Sequence, residues 1–194
     1  MRTAPASFEA RYRAEHDPWG FADDPYERAK YARTVAALGG RRFARALELG
    51  CAHGELTALL APACDLLVAL DAAPTAVARA TERFAGDDAV AVRGGTIPEE
   101  LPPGPWELVV ASEILYYLGP DLLEEAIGRL VADLAPGGLL LAVHWTGEAA
   151  SHPSSADAVH ARLLGAPGLR SVVAERHPGY RLDALERRPW AAPR

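Results

Sequence analysis

Lysine is almost missing from this sequence: Lys30 stands alone among 194 residues, while arginine, alanine, glycine and proline abound. That bias is read as genomic base composition rather than function. Cysteine is as scarce. Cys51 and Cys64 lie 13 positions apart with no Cys or His companion at zinc spacing, which excludes a disulfide framework and a zinc site. No stretch approaches the roughly 20 unbroken apolar residues of a membrane span. Positive charge is not in excess either: 20 basic residues against 26 acidic ones give a net charge of −6. The densest arginine clusters, Arg41-Arg42 and Arg187-Arg188, are only two long. A non-specific nucleic-acid binder is normally basic, so no nucleic-acid partner is expected, although an RNA-modifying enzyme stays open. Met1 to Glu15 carries Arg2, Glu9, Arg11, Arg13 and Glu15 with no apolar run, so no secretory signal is expected there, and the default location is cytoplasmic. What is present is ordinary: 49% hydrophobic and 24% charged residues, as in a soluble globular domain. A chain of this length buries about 70% of its unfolded surface and needs no metal or disulfide to fold.

The pattern changes along the chain. Ser7 to His16 is polar and weakly helical, and Asp17-Pro18-Trp19-Gly20-Phe21 breaks it with turn chemistry. Asp24 as cap, Pro25 at the first helical position and Glu27 completing a capping box predict a helix to about Leu38, ended by Gly39-Gly40. After Arg45, short apolar runs alternate with helical stretches. Strands are predicted at Ala46 to Leu49, Leu66 to Leu70, Ala89 to Val92, Leu108 to Ala111 and Leu139 to Trp145. Helices fall between them at Glu55 to Leu60, Thr75 to Phe84 and Asp121 to Leu134, the last stopped by Pro136-Gly137-Gly138. Asp157 to Leu164 reads as a short helix, and Ser171 to Glu175 and Tyr180 to Leu185 as two strands joined by His177-Pro178-Gly179. Alternating strands and helices imply a parallel sheet with right-handed crossovers, and unbroken apolar runs fit strands covered on both faces. The expected fold is a doubly wound, Rossmann-like α/β sheet in a single domain, with residues 1–40 as a helical cap and 41–194 as the core.

The most informative segment is Glu48-Leu49-Gly50-Cys51-Ala52-His53-Gly54, which follows a strand and opens a helix. Asp71 ends the next strand 21 positions after Gly50, the right distance for a carboxylate gripping ribose hydroxyls. A dinucleotide fingerprint laid from Gly50 falls on Gly50, Ala52 and Glu55, so a carboxylate would stand where the diphosphate belongs. S-adenosylmethionine (SAM) has no phosphate and carries a positive sulfonium, so it suits these acidic residues better. A ligand-free strand-to-helix turn is the plain alternative.

Glu48-Leu49-Gly50-Cys51-x-x-Gly54, Asp71 on the next strand and Leu134-x-Pro136-Gly137-Gly138 resemble class I SAM-dependent methyltransferases. The chain is similar, more closely, to the nodulation-protein-S-like branch, which N-methylates the glucosamine end of a chitin oligosaccharide. That likeness rests on Asp17-Pro18-Trp19-Gly20-Phe21, Tyr26 to Tyr31, Ser112 to Leu118 and Tyr180 to Asp183. Ala52 stands where the general pattern has Gly, and Gly94-Gly95-Thr96 lacks the acidic residue that contacts the adenine amino group in many members. The resemblance implies a seven-stranded class I methyltransferase sheet with an N-terminal helical segment, SAM as donor and S-adenosylhomocysteine as product. It implies that Glu48 acts indirectly on the methionine end, lined by Gly50, Cys51, Ala52 and Gly54. Asp71 would bind ribose, Ala72 would lie beside the adenine, and Gly95, Thr96 and Ile97 would approach its edge. Ser112, Glu113 and Ile114 would face the sulfonium, and Trp19 and Tyr31 would close the pocket.

Methyl transfer to an amine needs alignment, exclusion of water and a neutral nitrogen, hence a base. His144 ends a predicted strand, where open α/β sheets bind ligands, and is the first candidate. Glu113 is the second, able to bind an ammonium or accept its proton. Tyr116 and Tyr117 follow it, one expected to pack and the other to bind acceptor. Trp145 could stack on a sugar face, and His160 is read as a lid or surface residue. His152 and His177, beside prolines, are expected to be solvated. Tyr26-x-x-x-Lys30 copies the pair of short-chain dehydrogenases but precedes the Gly loop, so it is read as a helix face. The reading is a methyltransferase acting on a small-molecule acceptor, an amino-sugar amine first, without metal. Its rivals are an O-methyltransferase of hydroxylated natural products and a non-catalytic SAM-binding protein.

Overall fold

A computed structural model of the chain describes residues 1–188. The described residues form seven strands and six α-helices. The residues fall into two compact units, Thr3–Leu101 and the stretch from Pro102 onward together with Met1–Arg2.

The first unit holds helices α1 (Pro5–Ala14), α2 (Pro25–Ala36), α3 (Glu55–Leu60) and α4 (Pro74–Arg83), with strands β1 (Phe43–Leu49), β2 (Cys64–Asp71) and β3 (Val90–Gly94). The strands are parallel, β2 between β1 and β3. Ala46, Leu47 and Leu49 of β1 and Leu67, Ala69 and Leu70 of β2 are buried, as unbroken apolar runs demand of strands covered on both faces. The N-terminal segment is fastened by polar contacts. Glu9 accepts from Thr75 N–H at 2.9 Å and its hydroxyl at 2.8 Å, and Arg79 donates to the carbonyls of Tyr12, Glu15 and His16. Asp17 turns the chain by accepting from Phe21 and Ala22 N–H, both at 2.9 Å. Asp24 caps α2 through Tyr26 N–H at 2.8 Å, but the expected capping box does not close. The Asp24 N–H goes to Gly20 O, and Glu27 accepts instead from the buried Lys30 ammonium at 2.9 Å. Tyr26 lies 5.3 Å from the same ammonium, so these residues form a packed helix face.

The second unit contains β4 (Trp106–Ser112), a single 3-10 turn at Leu115–Tyr117, α5 (Pro120–Asp133), β5 (Leu134–Trp145), α6 (Ala156–Gly165), β6 (Leu169–His177) and β7 (Tyr180–Arg187). β4 and β5 are parallel; β7 runs antiparallel to both β5 and β6. Pro136-Gly137-Gly138 does more than stop α5. It lies inside β5 as an irregularity in the pairing with β4, between Trp106↔Leu134 and Leu108↔Leu139, with Gly137 at φ 75°. The extra residues let the strand start at once after the helix. Among the described residues no helix is long and apolar enough to cross a membrane.

Candidate functional site

In the first unit the loop after β1 is tightly determined. Gly50, Ala52 and Gly54 have φ of 72°, 53° and 92°, in the left-handed region. Gly54 has no substitute: a Cβ there would meet a Phe84 ring carbon at 2.6 Å. Asp71, at the end of β2, receives Ala52 N–H at 2.9 Å on one oxygen and Ala73 N–H at 2.8 Å on the other. Burial raises its pKa, and the backbone N–H groups of Ala73, Ala52 and Ala72 work against that rise. Glu48 is fully buried and accepts a hydrogen bond from the Thr57 hydroxyl at 2.6 Å, and burial pushes its pKa up to about 7. Cys51 points into the core with Ala69 and Ala80, so only its backbone faces the loop, and burial drives its thiol pKa well up.

The donor set separates the two ligand classes that the sequence left open. Gly50 and Cys51 N–H both go to Leu70 O, Ala52 N–H to Asp71 and Gly54 N–H to Cys51 O. A diphosphate is held by just such loop N–H groups, and here they are consumed within the protein. Carboxylates at Glu48 and Asp71 suit a ligand with hydroxyls and positive charge. Glu55, which would repel a diphosphate, is itself paired with Arg83. These residues fit SAM and not a dinucleotide.

The N-terminal aromatics pack on this loop. Trp19 and Phe21 stack at 5.7 Å and join Tyr12, Ala52, Ala73 and Ala76 in one apolar cluster, and Tyr31 lies 6.4 Å from Phe21. His53 is buried beside Phe21 and His16, neither ring nitrogen has a hydrogen-bond partner, and burial lowers its pKa. Ala72 is half-buried beyond Asp71, and Gly95 N–H returns to Asp71 O at 2.9 Å. Ile97 is buried. Thr96 donates through both its N–H, at 2.8 Å, and its hydroxyl, at 2.9 Å, to the Glu100 carboxylate. Glu100 thus brings an acid to the segment where residues 94–96 lack one. It was missed in the sequence because it lies four residues downstream, although Thr96-x-x-x-Glu100 is a spacing at which a turn brings the two together.

In the second unit the candidate residues gather on the turn after β4. Glu113 has φ 56°, and its N–H is fixed to Val143 O at 2.8 Å. Its Oε2 accepts from the Tyr116 hydroxyl at 2.6 Å and from Trp145 N–H at 2.9 Å. Tyr116 is buried, and burial with the Glu113 charge raises its phenol pKa. Its ring stacks on His152 at 4.0 Å and meets Tyr117 edge-on at 4.7 Å. His152 borders a cleft of about 420 Å³ between Gly147 and Ser155. Ser112 is buried and Ile114 half-buried, while Trp145 is 37% exposed with its ring edge-on to His152 at 6.1 Å.

Four histidines sit differently from expectation. His144, the first candidate base, is fully buried; Nε2 accepts from Leu115 N–H at 3.2 Å and Nδ1 faces His160 Nε2 at 3.1 Å. His160 is neither lid nor surface. It is fully buried, with Nδ1 2.8 Å from Asp183 Oδ2. His152 is stacked rather than solvated, because the 146–155 loop folds back onto the tyrosines. His177 is half-buried, bonded to Glu175 at 2.8 Å and stacked on Tyr180. Among the described residues no group of three or more His, Cys, Asp or Glu could hold a metal ion.

The family described as nodulation protein S matches residues 8–160. Nodulation protein S of Rhizobium tropici is 36% identical over 131 residues, 66% of this chain and 55% of the relative. That of Bradyrhizobium diazoefficiens is 35% identical over 133 residues, 66% of this chain and 62% of the relative. The chain therefore matches less than two thirds of the length of these curated relatives. The crystal structure of N-methyltransferase NodS from Bradyrhizobium japonicum WM9 with S-adenosyl-L-homocysteine superimposes with a TM-score of 0.83 at 28% identity, covering 94% of this chain and 98% of that one.

Proposed function

Since the chain belongs to the nodulation protein S family, we propose that it transfers a methyl group from SAM to the amine of a small acceptor, an amino sugar being the preferred class. SAM supplies a methyl carbon bound to a positively charged sulfur. Asp71 would hold its ribose hydroxyls, the 50–54 backbone its methionine end, and Thr96 with Glu100 its adenine edge.

The observation that carries the acceptor reading is Glu113. Its carboxylate is held in one orientation by Tyr116 and by Trp145 N–H, and Tyr116 stacks on His152, which borders the cleft. A fixed carboxylate attracts an ammonium and accepts the proton that the amine must lose. Trp145, partly exposed, offers a flat apolar surface to a sugar face. His144 is a poor base by comparison, because the Leu115 N–H already uses its Nε2 lone pair. We assign the base to Glu113.

Isotope-labelled SAM and chitin oligosaccharides with and without a free terminal amine test this reading. Label should enter only the free-amine sugar, and Glu113→Gln should lower kcat/KM by about a hundredfold or more. Label in hydroxylated acceptors lacking any amine would favour O-methylation instead.

A further inference from the structure

The second unit contains a buried polar chain that the proposed chemistry does not use directly. It runs from Leu115 N–H through His144, on β5, and His160, on α6, to Asp183, on β7. All three side chains are fully buried. Arg181 closes the far end, donating to Asp183 Oδ2 through Nε at 3.1 Å and lying 3.0 Å from it through a terminal guanidinium nitrogen.

The two ends dictate where the protons sit. A backbone N–H can only donate, so His144 Nε2 must be bare and its proton must lie on Nδ1. That N–H faces His160 Nε2, which must then accept, leaving the His160 proton on Nδ1. An ionised carboxylate can only accept, and Asp183 Oδ2 receives that proton's hydrogen bond. Donor at one end and acceptor at the other therefore select one tautomer for each ring, the assignment resting on the hydrogen-bond network.

His144 touches the Glu113 turn twice. It accepts from Leu115 N–H, two residues past Glu113, and its ring lies 5.2 Å from the Tyr116 ring whose hydroxyl holds the Glu113 carboxylate. Glu113 itself has a left-handed backbone, which persists only where the surroundings over-determine it. We propose that the His144–His160–Asp183 chain, by fixing the tautomer of His144, holds the 113–116 turn and the Glu113 carboxylate in the acceptor-binding position. His144, His160 and Asp183 are positioning residues in this scheme, which rests on the acceptor reading of Glu113 given above.

Histidine-labelled protein read by long-range proton–nitrogen NMR tests the tautomers without any turnover. Both His144 and His160 should show a protonated Nδ1 and a bare Nε2 at neutral pH. A protonated Nε2 on His144 overturns the proposal. His160→Leu removes the link, whereas His160→Gln keeps one donor and one acceptor. The Leu variant should shift the Trp145 backbone amide resonance, which reports the Glu113 carboxylate, and cut kcat/KM for the acceptor at least tenfold, with SAM affinity within twofold of the parent. The Gln variant should recover most of both. Equal behaviour of the two variants, or an unmoved Trp145 amide in His160→Leu, overturns the proposal. If no amine acceptor is methylated by the parent protein, the acceptor reading fails, and the tautomers and the Trp145 amide still decide whether the chain positions the turn.

Discussion

Ala52 and Glu113 are the two non-glycine residues with left-handed backbone among those described, at φ 53° and 56°. They are held by opposite means. Ala52 sits in a loop whose N–H groups are tied locally and to Asp71 on the neighbouring strand. Glu113 is bonded to β5, and the nearby Leu115 N–H meets His144, which faces His160 on α6 and through it Asp183 on β7. Backbone and one carboxylate suffice to hold the 50–54 loop. A turn that must aim a charged side chain needs packed side chains from several elements.

The buried carboxylates of the two regions differ as well. Glu48 has the Thr57 hydroxyl, whereas Asp183 faces a guanidinium and an imidazole. The largest expected effect breaks the comparison here. With its pKa raised from 4.5 to about 7, folded Glu48 binds a proton between those values that the unfolded chain has released. Stability therefore falls as pH rises through that window, by about 3 kcal/mol relative to Glu48→Gln. Urea unfolding of both proteins at pH 5 and pH 8 reads the difference, and parallel pH curves would show that Glu48 ionises normally.

Next in size is Asp71→Ala. It strips the Ala52 and Ala73 N–H groups of their acceptor, and with it the proposed ribose contact. SAM affinity measured by calorimetry should weaken by about thirtyfold, or about 2 kcal/mol. Unchanged affinity would mean that the loop, not the carboxylate, binds the nucleoside. The smallest effect sharpens the contrast. Ala52→Gly relieves a left-handed alanine and should stabilise the fold by up to about 1 kcal/mol, read as a higher urea midpoint with unchanged slope. A lower midpoint would show that the Ala52 methyl, packed with Trp19 and Tyr12, contributes more than the strain costs.

The fold was legible where a short window carries the signal. Apolar runs marked the strands, the three- and four-residue steps of Leu122 to Leu134 marked α5, and His177-Pro178-Gly179 marked the hairpin of β6 and β7. Boundaries moved where pairing extended a strand, as when β5 began at Leu134 rather than Leu139. The first-unit loop was equally readable, since Gly50, Gly54 and Asp71 follow from backbone angles and strand spacing. Glu27 misled because the buried Lys30 competed for it, an interaction that capping rules do not weigh.

The amino-acid sequence alone determined the α/β alternation, the glycine loop and the acidic residue 21 positions on, because each depends on neighbours in the chain or on the next strand. Only the tertiary structure decided what His144 can do, since its Nε2 already accepts from Leu115 N–H. His144, His160 and Asp183 are separated by 16 and 23 positions, and the Leu115 N–H at one end and the Asp183 carboxylate at the other select their ring tautomers. Hydrogen-bond polarity inside a core depends on what each group meets there, and no spacing along the chain records that.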